Sequence, residues 1–290
     1  MANSETIAVT GATGQLGRLV IADLLKRAPA AHLVGIVRNA AAAKDLADRG
    51  VELRTADYND PASVTAALAG VDKVLLISSS EVGQRVRQHR NVIDAAKAAG
   101  VKLIAYTSIL RADTNPMALA VEHRETEALI RSSGIPFVLL RNGWYTENYT
   151  GNVAAALAHG AVLGASRDGR IASASRADYA AAAAAVLASP GDQAGKIYEL
   201  AGDTAFTLAD YAAEIARQSG KPVVYKDLPE ADYKAALQAV GLPEAFAGIL
   251  AESDAKAAKG SLYDDSRHLS RLIGRPTTAM SQTVAAALAS

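Results

Sequence analysis

Three glycines, Gly11, Gly14 and Gly17, punctuate the stretch TGATGQLGRLVIADLL at residues 10–25. The Gly-x-x-Gly-x-x-Gly spacing lets the backbone approach a pyrophosphate and leaves the N–H groups of a following helix aimed at the phosphates. A tight strand-to-helix turn is the competing reading. The context favours the nucleotide seat: Thr6 to Thr10 (TIAVT) reads as a short buried strand, and Gln15 to Lys26 carries helical apolar spacing at Leu16, Leu19, Val20 and Leu24. The end of the second strand should then report which dinucleotide is bound, an acidic residue suiting a free ribose and an arginine a 2′-phosphate. That strand ends in Arg38-Asn39, and no Asp or Glu lies between Asp23 and Asp45. Arg38 therefore points to NADP(H), against the alternative of a surface cation.

Further polar residues fall where strands should end. Ser78-Ser79-Ser80 follows the fourth strand, and small hydroxyl residues there would let the backbone reach the inner ribose of a dinucleotide. Asp57-Tyr58 follows the third strand and reads either as an adenine border or as a turn leading to Pro61. His89 shares a helical face with Val82, Val86, Val92 and Ile93 and reads as a packed, hydrogen-bonded histidine. His123 is flanked by Glu122, Glu125 and Glu127, and either a solvated acidic face or a place in the ligand cleft accounts for it. Asn142, Trp144 and Tyr145 leave the sixth strand and are candidates to shape an acceptor pocket; packing between lobes is the alternative for Trp144, the chain's single tryptophan.

Apolar β-rich runs recur at His32–Val37, Glu52–Thr55, Lys73–Ile77, Lys102–Thr107 and Pro136–Arg141, with helical segments at Ala40–Arg49, Pro61–Leu68, Gly83–Ala99 and Pro116–Ser132 between them. Such alternation predicts a doubly wound parallel sheet covered by helices on both faces, an α/β fold of Rossmann type. Gly50, Gly70, Gly100 and Gly134 stand where helix C-terminal caps are expected. The rhythm changes at Gly143: helices are predicted near Gly151–His159, over Ala177–Ala188, from a Thr207 cap to Ser219, and over Glu230–Gly241, Glu244–Lys259, Ser266–Ile273 and Met280–Leu288, with Lys196–Leu200 as one more strand. The expected organisation is an NADP-binding domain over 1–142, with 171–203 returning to it. A smaller, mainly helical substrate lobe would take 143–170 and 204–290, with the ligand outside the carboxyl ends of the strands.

Across 290 residues, thirty basic and thirty acidic side chains cancel, and no dense Lys/Arg run marks a nucleic-acid surface. Without cysteine, thiolate metal sites and cysteine nucleophiles are excluded, and the few histidines lack ligand spacing, so no metal is expected. No stretch is apolar enough to span a bilayer, and MANSE lacks the opening of a secretory signal, so a cytoplasmic protein is expected.

The loop TGATGQLG, Arg38, SSSEVGQR at 78–85, QHRNVIDAAKAAGVK at 88–102, AYTS at 105–108 and LLRNGWYTENY at 139–149 together resemble the NmrA-like branch of atypical short-chain dehydrogenase/reductases almost from end to end. The resemblance implies a phosphate loop at Gly11, Ala12, Thr13, Gly14, Gln15 and Leu16, and a 2′-phosphate contact at Arg38. It places ribose and nicotinamide contacts at Ser78, Ser79, Ser80, Glu81 and Val82 and at Gly143, Trp144, Tyr145, Thr146, Glu147 and Asn148. Ordinary short-chain dehydrogenases carry a Tyr-x-x-x-Lys pair after the fifth strand to protonate an alkoxide; here no tyrosine or lysine lies from Ile109 through Pro136. A quinone needs no strong acid, since its reduced oxyanion is phenolate-like and phenols titrate near 10. The implied activity is hydride transfer from NADPH to a quinone, with tentative positioning roles for His123, Asn142 and Tyr145. His123 is read as the near-neutral titrating group of the segment that replaces the Tyr/Lys helix. The alternatives are reduction of another conjugated acceptor, such as a triphenylmethane dye, and a non-catalytic redox sensor. A small-molecule quinone is the expected partner, and a homodimer is the oligomer to test for.

Overall fold

The computed structural model describes residues 5–289; Met1–Ser4, where most of the signal reading falls, and Ser290 lie outside the described residues. The chain opens with β1 (Thr6–Val9), α1 (Gln15–Arg27), β2 (His32–Val37), α2 (Lys44–Ala47), β3 (Glu52–Thr55), α3 (Pro61–Ala67), β4 (Lys73–Leu76) and α4 (Arg85–Ala98). It continues through β5 (Leu103–Ile109), α5 (Leu119–Ser133), β6 (Phe137–Asn142), α6 (Glu147–Thr150), α7 (Val153–His159), β7 (Ala161–Gly164), α8 (Arg176–Leu187) and β8 (Ile197–Leu200). The remainder is α9 (Leu208–Ser219), β9 (Val224–Asp227), α10 (Glu230–Ala239), α11 (Glu244–Ala257), α12 (His268–Ile273) and α13 (Met280–Leu288).

The chain groups into two compact units. The first takes the residues up to Ala112, Val121–Asn142 and Arg176–Tyr198; the second takes Asp113–Ala120, Gly143–Ser175 and Glu199 onward. The return to the first unit thus spans 176–198, shorter than the 171–203 expected, and 113–120 groups with the second.

The first unit is the Rossmann-type α/β fold. A seven-stranded sheet runs β3-β2-β1-β4-β5-β6-β8, so the crossover at β1 puts the ends of β1 and β4 side by side. The registers of β1 with β2 and β4, and of β5 with its two neighbours, are parallel. These strands are apolar on both faces because helices cover both: Val74, Leu75, Leu76, Ile104 and Ala105 are fully buried. α8 packs on α1, and Lys73 Nζ, at the start of β4, donates to the Leu187 carbonyl at the end of α8 at 3.0 Å. Under the β6 end lies a buried ion pair: Arg141 Nε and Nη2 donate to the two Glu127 carboxylate oxygens at 2.9 and 2.8 Å, and Ser108 Oγ donates to Oε1 at 2.7 Å.

Several helix boundaries differ from the sequence pattern, two of them for a reason visible in the hydrogen bonds. The helix expected over 40–49 splits into a 3₁₀ turn at Ala40–Ala43 and α2, with Asn39 Oδ1 accepting the Ala41 N–H. The helix expected from Pro116 starts at Leu119, because Asn115 Oδ1 accepts the Met117 N–H at 3.0 Å and holds the approach as a loop.

The second unit is mainly helical. Thr207 caps α9 through the reciprocal bonds expected of a capping box with Asp210. A two-stranded parallel pair, β7 with β9, was absent from the sequence reading. Each is four residues long, and its partner lies some sixty residues away, so no local alternation announces it. Gly164 ends β7 where a Cβ would meet Asp254 Oδ2 at 2.7 Å and Leu208 Cδ1 at 2.5 Å. Asp254, buried on α11, accepts the Ala165 N–H at 2.5 Å. Burial, with Asp227 nearby, pushes its carboxyl up to about 6 despite that bond. Tyr149, Tyr225 and Tyr233 lie close enough to feel its charge, and burial holds all three phenols protonated well above their ordinary range.

Candidate active site

The glycine loop has the geometry its spacing implies. Gly11 has φ +59°, a left-handed conformation costly for side chains. Gly17 sits in the first turn of α1 with no room at all: a Cβ there would lie 2.4 Å from the Gly11 carbonyl oxygen and 2.9 Å from Ala12 Cα. Gly14 precedes α1, and no side chain caps that helix, so its leading N–H groups are available to an anion.

Backbone links hold this loop to the neighbouring strand ends. Ala12 N–H donates to Ile36 O at 3.2 Å, and Ile77 N–H donates to Thr10 Oγ1 at 3.0 Å. Arg38 follows β2 with its side chain 76% exposed, 3.5 Å from Glu81 Oε1 in the segment after β4. Glycine loop, Arg38 and Ser78–Val82 therefore line the carboxyl ends of three adjacent strands, β2, β1 and β4. Asp57 behaves as a turn residue, its Oδ1 accepting Asn59 N–H at 2.8 Å.

Ser79 is held at both backbone groups. Its N–H donates to His89 Nε2 at 3.0 Å, and its carbonyl accepts Arg85 Nε at 2.6 Å. Beside it, Ser78 N–H donates to Thr107 Oγ1 at 2.9 Å, and Ser78 Oγ is buried without a protein partner. His89 is packed, as its apolar face implied. Its Nδ1 meets Thr126 Oγ1 at 2.9 Å, and burial followed by the charge of Arg85 pulls its pKa down to about 3.

His123 does not lie on a solvated face. It is buried on α5, with Nδ1 at 2.7 Å from the Tyr106 hydroxyl and Nε2 at 3.5 Å from Arg85 Nη1. Burial first, then Arg85 and His89, hold its pKa well below the ordinary histidine value. The near-neutral titration expected of it is thereby corrected: His123 is uncharged throughout the neutral range. Tyr106, fully buried on β5, keeps its proton because burial raises its pKa. Asn142 ends β6 buried, with Oδ1 lacking a protein partner. Polar atoms orphaned in this way at strand ends suit a ligand carrying donors and acceptors of its own.

Residues 143–148 belong to the second unit. Gly143 N–H donates to Leu200 O at 2.7 Å, Thr146 N–H to Ala174 O at 2.9 Å and Ala174 N–H to Trp144 O at 3.1 Å. Thr146 Oγ1 pairs with Ser173 Oγ at 2.8 Å. The segment is thus a pinned, extended run that leaves Trp144, Tyr145 and Glu147 half-buried and Asn148 exposed.

The sequence reading missed Tyr106 and Arg85. Arg85 and His89 stand four apart at the start of a helix that follows a serine run, a spacing that puts both on one face beside the loop. Tyr106 left no signal, since one aromatic residue in a buried parallel strand reads as core. No group of histidines and acids that could hold a metal occurs among the described residues, and no helix there is long and apolar enough to cross a membrane.

The glycine cradle, the uncapped helix start, an exposed arginine after β2 and orphaned polar atoms after β4 and β6 fit a phosphorylated dinucleotide. The NmrA-like family model matches residues 3–282. Quinone oxidoreductase 2 of Escherichia coli (strain K12) is 61% identical over 278 residues, covering 96% of this chain and 97% of the relative. A crystal structure of the NADPH-dependent E. coli enzyme complexed with NADPH superposes with a TM-score of 0.95, covering 97% of this chain and 99% of that one. The Citrobacter sp. triphenylmethane reductase complexed with NADP(H) is 41% identical, with a TM-score of 0.92 and 97% and 99% coverage. On the family match and these relatives, the chain belongs to the NmrA-like family.

Proposed function

We propose that this chain is an NADPH:quinone oxidoreductase, an atypical short-chain dehydrogenase/reductase that transfers hydride from NADPH to a quinone. Identity of 61% to the E. coli quinone oxidoreductase 2 carries the reading. The chemistry of the site agrees with it. Gly11–Leu16 and the start of α1 would hold the pyrophosphate, Arg38 the 2′-phosphate, and Ser78–Val82 with Gly143–Asn148 the ribose and nicotinamide. When bound, NADPH supplies the hydride.

The polypeptide supplies placement more than acid catalysis. Tyr106 and His123, on β5 and on the helix that follows it, are buried and bonded to one another, so neither is a proton donor open to solvent. A quinone fits this lack, because the oxyanion formed on hydride addition is a weak base that hydrogen-bond donors stabilise and water protonates. An alkoxide, far more basic, does not. Asn142 and Tyr145 are proposed to orient the acceptor against the nicotinamide. Cytoplasmic location and a homodimer belong to the same proposal, the latter testable by light scattering. The test of function is steady-state oxidation of NADPH across a panel of quinones and triphenylmethane dyes. Turnover with simple quinones is expected; NADPH binding without turnover on any acceptor would replace the enzyme with a sensor.

A further inference from the structure

One residue of the cofactor loop is gripped at both of its backbone groups by a single helix. Ser79 gives its N–H to His89 Nε2 at 3.0 Å and takes Arg85 Nε on its carbonyl at 2.6 Å. His89 and Arg85 are one turn apart on α4, so the two grips form a clamp. A backbone N–H can only donate, so Nε2 is the unprotonated nitrogen of His89 and Nδ1 carries the proton. That proton goes to Thr126 Oγ1 at 2.9 Å, and Thr126 Oγ1 donates in turn to Glu122 O at 2.8 Å. The tautomer is fixed along the whole path.

Arg85 is braced in the same way. Glu122 Oε1 accepts the Arg85 N–H at 3.2 Å, and the Glu122 carboxylate also takes the Gly83 N–H at 3.1 Å, placing a negative charge at the start of α4. The Arg85 guanidinium reaches His123 Nε2 at 3.5 Å, and His123 in turn holds the Tyr106 hydroxyl. The edge-on packing of the His89 and Tyr106 rings, centroids 5.5 Å apart, closes the ring of contacts. α4, α5 and β5 are thereby cross-tied to the one serine.

We propose that His89 and Arg85 are positioning residues that fix the Ser78–Glu81 loop in its cofactor-binding conformation by clamping both backbone groups of Ser79, with His123 and Thr126 bracing the clamp. The inference rests on the proposed function only for what the loop faces. Neither residue need touch NADPH or acceptor. The His89 end of the clamp is a neutral imidazole, burial and the charge of Arg85 drawing its pKa down to about 3, so that grip does not titrate in the neutral range.

Two measurements test it: amide hydrogen exchange of the segment 78–82 in the protein alone, and the dissociation constant for NADPH by titration of protein fluorescence. In His89→Leu, exchange at 78–82 should accelerate about tenfold or more while the strands of the sheet keep their protection, and NADPH should bind about tenfold more weakly. His89→Gln retains an acceptor near the position of Nε2 and should restore both to within about threefold. Arg85→Met should loosen the same segment from the carbonyl side, and Arg85→Lys less. Unchanged exchange at 78–82 in His89→Leu, or His89→Gln behaving like His89→Leu, would overturn the clamp. If His89→Leu does not fold, the Arg85 pair decides, and unchanged exchange in Arg85→Met overturns the proposal. Neither readout needs a quinone, so a wild-type protein that binds NADPH without turnover refutes the proposed reaction and leaves the clamp to stand or fall alone.

Discussion

The two units each bury titratable groups, and they do so by opposite means. In the first, His89 and His123 lie in the interior as neutral bases, each nitrogen of His89 and of His123 set against a named partner, so that a proton has nowhere favourable to go. In the second, Asp254 has a backbone N–H on one oxygen and is surrounded by phenols and a second carboxylate, so that a proton is welcome until about pH 6. The lesson is that burial alone sets no sign. Desolvation drives both groups toward neutrality, which for a histidine means losing a proton and for an aspartic acid means keeping one. The first unit's network is also charge-balanced nearby, since Glu127 and Arg141 neutralise one another; in the second, Asp227 adds like charge.

Four measurements break or sharpen this contrast. The largest effect should come from Arg141→Met, which strands the Glu127 carboxylate in the interior of the first unit; a loss of about 3–5 kcal/mol in urea unfolding is expected. A loss under about 1 kcal/mol would mean that the pair contributes no more than a surface contact.

Second is the pH dependence of stability. Asp254 has its folded pKa raised above 3.8 to about 6, so its contribution is present in acid and lost as pH rises through about 6. Asp254→Asn should remove that slope and gain on the order of 2–3 kcal/mol relative to wild type at pH 8 compared with pH 4. His89 has the opposite sign: its folded pKa is depressed from 6.5 to about 3, so its contribution is present above about 6.5 and lost as pH falls toward 3. His89→Gln should flatten the fall in stability below about pH 6.5, whereas Asp254→Asn should steepen it, since the two windows overlap with opposite sign. If both substitutions flatten the same limb, the contrast between the units is wrong.

Third, His123→Ala removes the His123 ring from the Tyr106 hydroxyl and should lower quinone turnover about 3- to 30-fold while retaining measurable rate, less than the roughly 100- to 10,000-fold of an essential general acid. Between about pH 5.5 and 8.5 the wild-type rate should show no inflection from His123, whose pKa burial holds well below the ordinary histidine value. Abolished turnover would make His123 an essential acid and overturn the placement mechanism.

The smallest effect on the fold belongs to Arg38→Glu, on a side chain 76% exposed, which should change stability by less than about 0.5 kcal/mol. Its signature is in cofactor choice: the Michaelis constant for NADPH should rise about tenfold or more and that for NADH by less than about threefold. Equal losses with both cofactors would remove Arg38 from the 2′-phosphate site.

The alternation of strands and helices in the first unit was legible because each strand carries its own apolar run and four helix ends their own glycine. The place of Arg38 just after β2 was legible for the same reason, and its proposed part in cofactor choice is what Arg38→Glu tests. His123 was legible as a residue but not as a state, since its titration depends on burial and on Arg85 and His89, which are neighbours in space and distant in sequence. The β7–β9 pair stayed hidden because Val224–Asp227 shows half-exposed VYKD to a helix-rich context and finds its partner only after folding. Asp254 gave no signal, since what raises it is burial beside Asp227, a residue of β9 distant in sequence.

The packing of α8 on α1 has a consequence for biosynthesis. The first helix and the one that covers it are separated by about 150 residues of chain, and β8 reaches the sheet later still. A ribosome adding roughly 5–20 residues per second leaves the covered face of α1 waiting on the order of 10–30 s. Over that interval Leu16, Val20, Ile21 and Leu24 have no lasting cover on the α8 side, so the nascent dinucleotide half is a client for whatever shields apolar surface at the tunnel exit. A chain stopped at Asn142 would carry β1 to β6 and still lack the helix that covers α1.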